Sequence, residues 1–300
     1  MTGTERVGVV GCGLMGAGIA EVCARAGLRV TVAERDGAAA RAGGERVARS
    51  LERAVARGAL TPDQRDAALA SVTVVDDLGA LHDSDLVVEA VAEDESVKLD
   101  VFTRLDAVIT DPGTILASNT SSIPVVRLAA ATSRPDKVIG VHFFNPVPVL
   151  RLVELVPSFL TSEETTRRAE AFVVGTLGKE AVRVRDRAGF VVNALLVPYL
   201  LAAVRMVDSG TATAQDVDRA MVMGCAHPLG PLALGDLIGL DTVRAIADSL
   251  YAEFKEPLYA PPPLLCRMVE AGLLGRKSGR GFHSYAEGSA RGVPAAVERR

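Results

Sequence analysis

The hexapeptide Gly11-Cys12-Gly13-Leu14-Met15-Gly16 constrains the fold of this 300-residue chain more than any other feature. An apolar stretch over 6–10 precedes it, and an Ala-rich stretch at helical period follows to about Ala26. Gly27 stops that helix and 29–33 reads as a second strand, closing a β-α-β unit of about thirty residues. Glycines at these three positions permit a tight turn, close approach of backbone to a pyrophosphate and close packing of helix on strand. The helix N-terminus then faces the phosphates with unpaired N–H groups. Glu34 ends the second strand, where a carboxylate accepts hydrogen bonds from ribose hydroxyls and repels a 2′-phosphate. The pattern predicts a dinucleotide, NAD in preference to NADP, held by Gly11, Gly13, Leu14, Met15, Gly16 and Glu34. Arg35 keeps NADP possible, since an arginine there accommodates the extra phosphate. A glycine turn without a ligand is the bland alternative, and the strand, helix and acid around the motif weigh against it.

Further apolar stretches at 72–75, 86–91, 115–118 and 138–141 read as strands, separated by helical stretches of which 96–108 is the clearest. A long arginine-rich helix is expected over 38–58, and Thr61-Pro62-Asp63 starts another with Thr61 as N-cap. Strands alternating with helices predict a mostly parallel sheet. Near 186–189 the texture changes. The stretches 190–209, 214–223, 242–254 and 264–271 all read as helices, with breaks at Gly210, His227-Pro228, Gly230-Pro231 and 261–263. The expected fold class is α/β: a Rossmann-type domain over 1–186, followed by an all-α domain over 187–300. The tail after Glu287 reads as frayed.

Hydrophobic residues make up 49% of the chain, ample for two moderate domains. The net charge is −4 with both signs mixed, so no nucleic-acid partner is expected. The longest apolar stretch, 190–204, contains Asn193 and Pro198 and falls short of membrane-spanning length. M-T-G-T-E-R runs straight into the first strand, leaving no room for a signal peptide. Cys12, Cys23, Cys225 and Cys266 are scattered without metal-type spacing, which predicts no metal site and suits a reducing cytoplasm. Cys12 reads as a small packing residue whose alkylation could block the cofactor.

The segment 140–155, G-V-H-F-F-N-P-V-P-V-L-R-L-V-E-L, places His142 at the end of one apolar run and Glu154 inside the next. Strands over 138–141 and 150–156, joined by a proline-punctuated turn, could set imidazole and carboxylate side by side. That pair is the usual equipment for moving a proton near neutral pH. Asn119-Thr120-Ser121-Ser122 follows a strand, at the sheet edge where open α/β folds bind ligands, and offers amide and hydroxyl groups to a substrate oxygen. Taken singly, His142 reads as a core histidine, Glu154 as a solvated carboxylate, and N-T-S-S as an N-cap and turn. His227 reads as a structural turn residue, and His82 and His283 as surface or turn residues.

Together these segments resemble the L-3-hydroxyacyl-CoA dehydrogenases, nearest to the bacterial 3-hydroxybutyryl-CoA dehydrogenases. The resemblance rests on G-C-G-L-M-G-A-G-I-A, A-S-N-T-S-S-I, G-V-H-F-F-N-P-V-P-V-L-R-L-V-E, D-R-A-G-F-V-V-N, H-P-L-G-P-L-A-L-G-D-L-I-G-L-D and G-R-K-S-G-R-G-F, in order from Val7 to Tyr285. It implies that His142 is the general acid/base and Glu154 its orienting partner. Ser121 would hold the substrate's 3-oxygen and Asn193 the thioester side. Glu93, Lys98, Asn119 and Asn145 would contact the cofactor, with Asn145 also supporting the active-site turn. Ser50 and Arg57, in the arginine-rich helix, fall where family members bind CoA. For the other arginines of that helix a solvated face is an equal reading. The resemblance further implies reversible NAD-dependent oxidation of an (S)-3-hydroxyacyl-CoA in fatty-acid β-oxidation or butanoate metabolism, a cytoplasmic location, and a homodimer formed through the helical domain. Ala194 departs from the arginine that many relatives carry after the asparagine, which bears on CoA contacts or the domain hinge.

Within the same fold, a 3-hydroxyadipyl-CoA dehydrogenase and an L-gulonate dehydrogenase-like enzyme remain as alternatives. The β-hydroxyacid dehydrogenases and imine reductases also open with G-x-G-x-M-G. They rely on a proton donor such as lysine in the long interdomain helix, where this chain has Asn193. A non-catalytic NAD-binding protein would bind cofactor without turning over an acyl-CoA, and the set Ser121, His142, Glu154 and Asn193 argues against it.

Overall fold

A computed structural model describes residues 4–285. Six parallel strands form the heart of the first unit: β1 (Arg6–Val10), β2 (Arg29–Ala33), β3 (Val72–Val75), β4 (Leu86–Glu89), β5 (Ile115–Ser118) and β6 (Val138–Phe143). β7 (Leu152–Val156) pairs antiparallel with β6, and β8 (Glu180–Arg183) pairs parallel with β7. The full order is β3-β2-β1-β4-β5-β6-β7-β8. Strand order reverses at β1, whose neighbours are β2 and β4, and the glycine loop leaves β1 at this switch point.

Helices α1 (Leu14–Arg25), α2 (Gly37–Ala56), α3 (Pro62–Ala70), α4 (Glu95–Val108), α5 (Val125–Ala130) and α6 (Glu163–Glu170) complete this unit. The strand residues divide between two cores with the period of two that a pleated strand imposes. Leu86, Val88, Ile115, Ala117, Ile139 and Val141 pack in one cluster with α1 and α2. Val87, Leu116 and Val138 pack in the other with α4 and α5. Burial on both faces explains why these strands read as continuous Val/Ile/Leu runs rather than alternating ones. In α2 the buried positions Ala40, Gly43, Val47, Leu51 and Ala54 follow helical spacing, and Arg41, Arg49 and Arg53 lie on the outward face. Thr61 caps α3 in a reciprocal capping box with Gln64.

The chain divides into two compact units between Phe190 and Val191. The second contains α7 (Val192–Asp208), α8 (Ala214–Cys225), α9 (Pro231–Ile238), α10 (Leu240–Phe254) and α11 (Pro263–Glu270). α7 starts two residues later than its apolar pattern suggests, because Gly189 and Phe190 adopt left-handed backbone. The Gly230-Pro231 break is in fact a helix start: proline occupies the first turn of α9, where its missing N–H costs nothing. β8 escapes the sequence reading because its E-A-V-R pattern is short and mostly exposed. The tail after Glu287 lies outside the described residues. Among the described residues, no helix is long and apolar enough to cross a membrane.

One histidine is misread from sequence. His283 is buried, its Nε2 2.8 Å from Asp218 Oδ2, and is neither a surface nor a simple turn residue. Asp218 also accepts hydrogen bonds from the Leu232 and Ala233 amides, which caps an α9 N-terminus that Gly230 cannot cap. Asp236 accepts from the Phe282 and His283 amides and from the Tyr285 hydroxyl, fastening the 282–285 segment to α9. The hydrogen bond to Asp218 raises the His283 pKa, against the opposing effect of burial. A raised folded-state pKa stabilises fully below the unfolded value of about 6.5 and ceases to do so as pH rises through the folded value. Urea unfolding of the wild type is therefore expected to lose midpoint as pH rises above about 6.5, with His283→Gln flattening that dependence. Equal pH dependence in both proteins would remove the role assigned to this pair.

Candidate active site

Gly11 has φ +88, in the region that favours glycine, and a Cβ there would meet the Ala90 backbone at 2.9 Å. A Cβ on Gly16 would collide with the Gly11 carbonyl oxygen. The loop can therefore turn back on itself only with glycine at both positions. α1 begins with no side-chain cap and no acidic residue in its first turn. Its leading N–H groups thus have no side-chain acceptor, and Gly13 is open around its Cβ position. These features fit a dinucleotide pyrophosphate at the helix N-terminus. Leu14 is exposed and Met15 half-buried beside it. Glu34 Oε1 accepts the Cys12 amide at 2.6 Å, which ties the loop to the end of β2, while Arg35 is largely exposed. Arg46 of α2 donates to the Cys12 carbonyl from the other side of the loop. The Cys12 thiol is fully buried, and burial followed by the nearby Glu34 carboxylate pushes its pKa up to about 11. That environment makes it a packing residue and an unreactive one.

The β6–β7 register sets His142 directly opposite Glu154. Imidazole Nδ1 lies 2.8 Å from Glu154 Oε2, with both side chains buried. The carboxylate oxygen needs a donor, so Nδ1 carries the hydrogen and Nε2 is left as the basic nitrogen. Phe144 and Phe190 contact the imidazole ring, with centroids at 4.5 and 5.4 Å. Asn119, at the end of β5, accepts the Phe143 amide on Oδ1 at 2.9 Å and so prolongs the β5–β6 pairing by a side chain.

The N-T-S-S turn is organised by Glu93. Its Oε1 accepts from the hydroxyls of Thr120 (2.5 Å), Ser121 (3.3 Å) and Ser122 (2.9 Å) and from the amides of Ser121 and Ser122. Its Oε2 lies 3.3 Å from Lys98. Burial pushes the Glu93 carboxyl up, but Lys98 and these donors outweigh it and hold the pKa below the ordinary carboxylate value. Lys98 is 1% exposed and donates at 2.6 Å to Glu89, which also accepts from Val91 N and the Ser118 hydroxyl. Glu89 carries no motif signal; only its place as an acid closing an all-apolar strand marks it.

The 144–151 connection is pinned by Lys179, whose ammonium donates to the Val147 and Leu150 carbonyls at 2.7 Å each. Burial, then the nearby Arg25 charge, lowers its pKa. Asn145 is exposed within this connection and precedes a cis proline, Pro146. Ser50 is half-buried on α2, and Arg57 is exposed at its C-terminal end. Asn193 belongs to the second unit, in the first turn of α7. His227 receives or donates a hydrogen bond with the Tyr199 hydroxyl at 3.1 Å. Among the described residues, no three His, Cys, Asp or Glu side chains are grouped to hold a metal ion.

Comparison with known proteins places this arrangement. Residues 6–187 match the 3-hydroxyacyl-CoA dehydrogenase NAD-binding domain, and residues 189–285 match the C-terminal domain of the same family. The 3-hydroxybutyryl-CoA dehydrogenase of Mycobacterium tuberculosis is 60% identical over 281 residues, covering 94% of this chain and 98% of the relative. The crystal structure of M. tuberculosis FadB2 superposes with a TM-score of 0.94 at 60% identity, over 95% of this chain and 100% of that one. That of (S)-3-hydroxybutyryl-CoA dehydrogenase PaaH1 from Ralstonia eutropha gives 0.89 at 43% identity, again over 95% and 100%. The β-α-β cradle, the histidine–carboxylate pair across β6 and β7, and the helical second unit are thus features of a chain that belongs to the 3-hydroxyacyl-CoA dehydrogenase family.

Proposed function

We propose that this protein interconverts an (S)-3-hydroxyacyl-CoA and its 3-oxoacyl-CoA with NAD, acting on 3-hydroxybutyryl-CoA. The observation that carries the reading is the buried His142–Glu154 pair in a chain that also has an uncapped helix N-terminus behind a glycine loop. The names of its relatives support the four-carbon acyl group. NAD, when bound, supplies the hydride acceptor at its nicotinamide ring. His142 Nε2 takes the hydroxyl proton of the substrate, and Glu154 holds the Nδ1 hydrogen and stabilises the imidazolium that results. In the other direction His142 returns that proton to the ketone oxygen. Ser121 hydrogen-bonds the substrate 3-oxygen, and Asn193 positions the thioester side.

Glu93, Lys98 and Asn119 serve the nicotinamide half of the cofactor site, and Asn145 supports the turn beside it. Glu34 serves the ribose and, as a fixed negative charge, favours NAD over NADP. Ser50 and Arg57 contact the CoA moiety. The chain works in the cytoplasm.

In an assay of acetoacetyl-CoA reduction by NADH, His142→Gln is expected to lose roughly 100- to 10,000-fold in kcat. NADH affinity is expected to stay within about twofold, because the cradle on α1 is untouched. Near-normal kcat in that variant would sink the assignment.

The helical unit exposes Leu195, Met206, Met223, Leu237 and Leu258, apolar side chains available for a second copy to cover. We infer a homodimer formed through this unit. Sedimentation at micromolar concentration is expected to give twice the 31.4 kDa chain mass, and a species of only that mass would count against it.

A further inference from the structure

We propose that Phe190 is a positioning residue for His142, holding the imidazole plane in its working orientation. The first observation is conformational. Phe190 has φ +50, a left-handed backbone that a bulky L side chain rarely adopts, and it follows Gly189 at φ +74. Strain of this kind persists only where the surroundings enforce it, and it clusters at functional sites.

The second observation is what enforces it. Asp186 accepts the amides of Val125 and Val126 at 2.8 Å each, anchoring the segment to the start of α5. The Phe190 amide closes a turn on the Arg187 carbonyl at 3.0 Å. The third is where the ring ends up. It is 8% exposed and meets the His142 ring at 60°, with centroids 5.4 Å apart, while Phe144 meets the same imidazole at 59° and 4.5 Å.

The single hydrogen bond from Nδ1 to Glu154 tolerates coupled shifts of χ1 and χ2, and these swing Nε2. Two aromatic walls remove that freedom, and so aim Nε2. Orientation at this level matters because a displacement of about 1 Å at the reacting atom costs roughly 100-fold in rate.

The proposal rests on His142 being the proton-handling residue, and the test separates the two. Acetoacetyl-CoA reduction is followed in the wild type, Phe190→Leu, Phe190→Tyr, His142→Gln and the double variant Phe190→Leu/His142→Gln. Phe190→Leu keeps most of the apolar volume and removes the ring. It is expected to lose roughly 10- to 100-fold in kcat, with KM for NADH within about twofold, while Phe190→Tyr keeps the ring and most of the rate. Placed on His142→Gln, Phe190→Leu should change kcat by less than about twofold, because the orientation it protects is no longer used. Wild-type kcat in Phe190→Leu, or an equal fall in both backgrounds, would overturn the positioning role. Retention of kcat by His142→Gln would overturn the reading beneath it.

Discussion

The reversal of direction between β6 and β7 is the constraint on which the site depends. Parallel strands are joined by crossovers, so a partner for His142 on a parallel neighbour would come from a distant part of the chain. The antiparallel pair finds that partner twelve residues away. Side chains alternate with a period of two, so a one-residue slip would carry Glu154 to the opposite face of the sheet. Burial holds the register: Val141, Phe143, Val153 and Leu155 flank the pair and are almost wholly inaccessible. Lys179 holds the connection, and β8 covers the outer edge of β7, so that the carboxylate stays in the interior, 1% exposed.

A second group of charges performs the matching task at the ends of β4 and β5. Glu89 and Ser118 face each other in register, which brings the hydroxyl onto the carboxylate. Lys98 lies in the first turn of α4, where the helix dipole disfavours a cation. Glu89 and Glu93 offset that cost, and removing one partner from such a buried pair costs about 3–5 kcal/mol. The arrangement does more than neutralise charge. It fixes Glu93, and Glu93 gathers the Thr120, Ser121 and Ser122 hydroxyls into one turn. The position of the Ser121 hydroxyl is therefore set by Glu93 and, behind it, by Lys98.

Much of this was legible because local and tertiary preferences agree. Strands β1, β2, β3 and β5 coincide with their apolar stretches, and the glycine spacing locates the turn between β1 and α1. The pairing of His142 with Glu154 was legible as a possibility, since a proline-broken connection between two apolar runs permits a reversal. What stayed hidden depends on contacts distant in sequence. Asp218 and His283 are sixty-five positions apart, and nothing near either one signals the partner. Glu89 reads as an acid inside the apolar run 86–91 until Lys98 is seen against it. Phe190 reads as one more apolar residue of a helix, because a left-handed backbone leaves no mark on residue type unless the residue is glycine. α9 was hidden for a different reason: Gly-Pro is a breaker within a helix and a starter before one, and only the capping by Asp218 tells the two apart.

The glycine loop shows how far the cofactor side is prepared in advance. Glu34 uses one oxygen on the Cys12 amide and the other, at 3.2 Å, on the Arg35 amide. A carboxylate offers about four lone-pair sites, so acceptor capacity remains for hydroxyl donors while the loop stays tied. The same bonds that hold the loop also fix the carboxylate's position. Arg46 holds the carbonyl of the next peptide, Cys12–Gly13, so two consecutive peptide planes of the loop are fixed, one by Glu34 and one by Arg46. An acid that only contacted ligand would have to be ordered when ligand arrives, at the cost of side-chain entropy. Here folding of the first unit has already met that cost, so Glu34 is ordered before any ligand arrives.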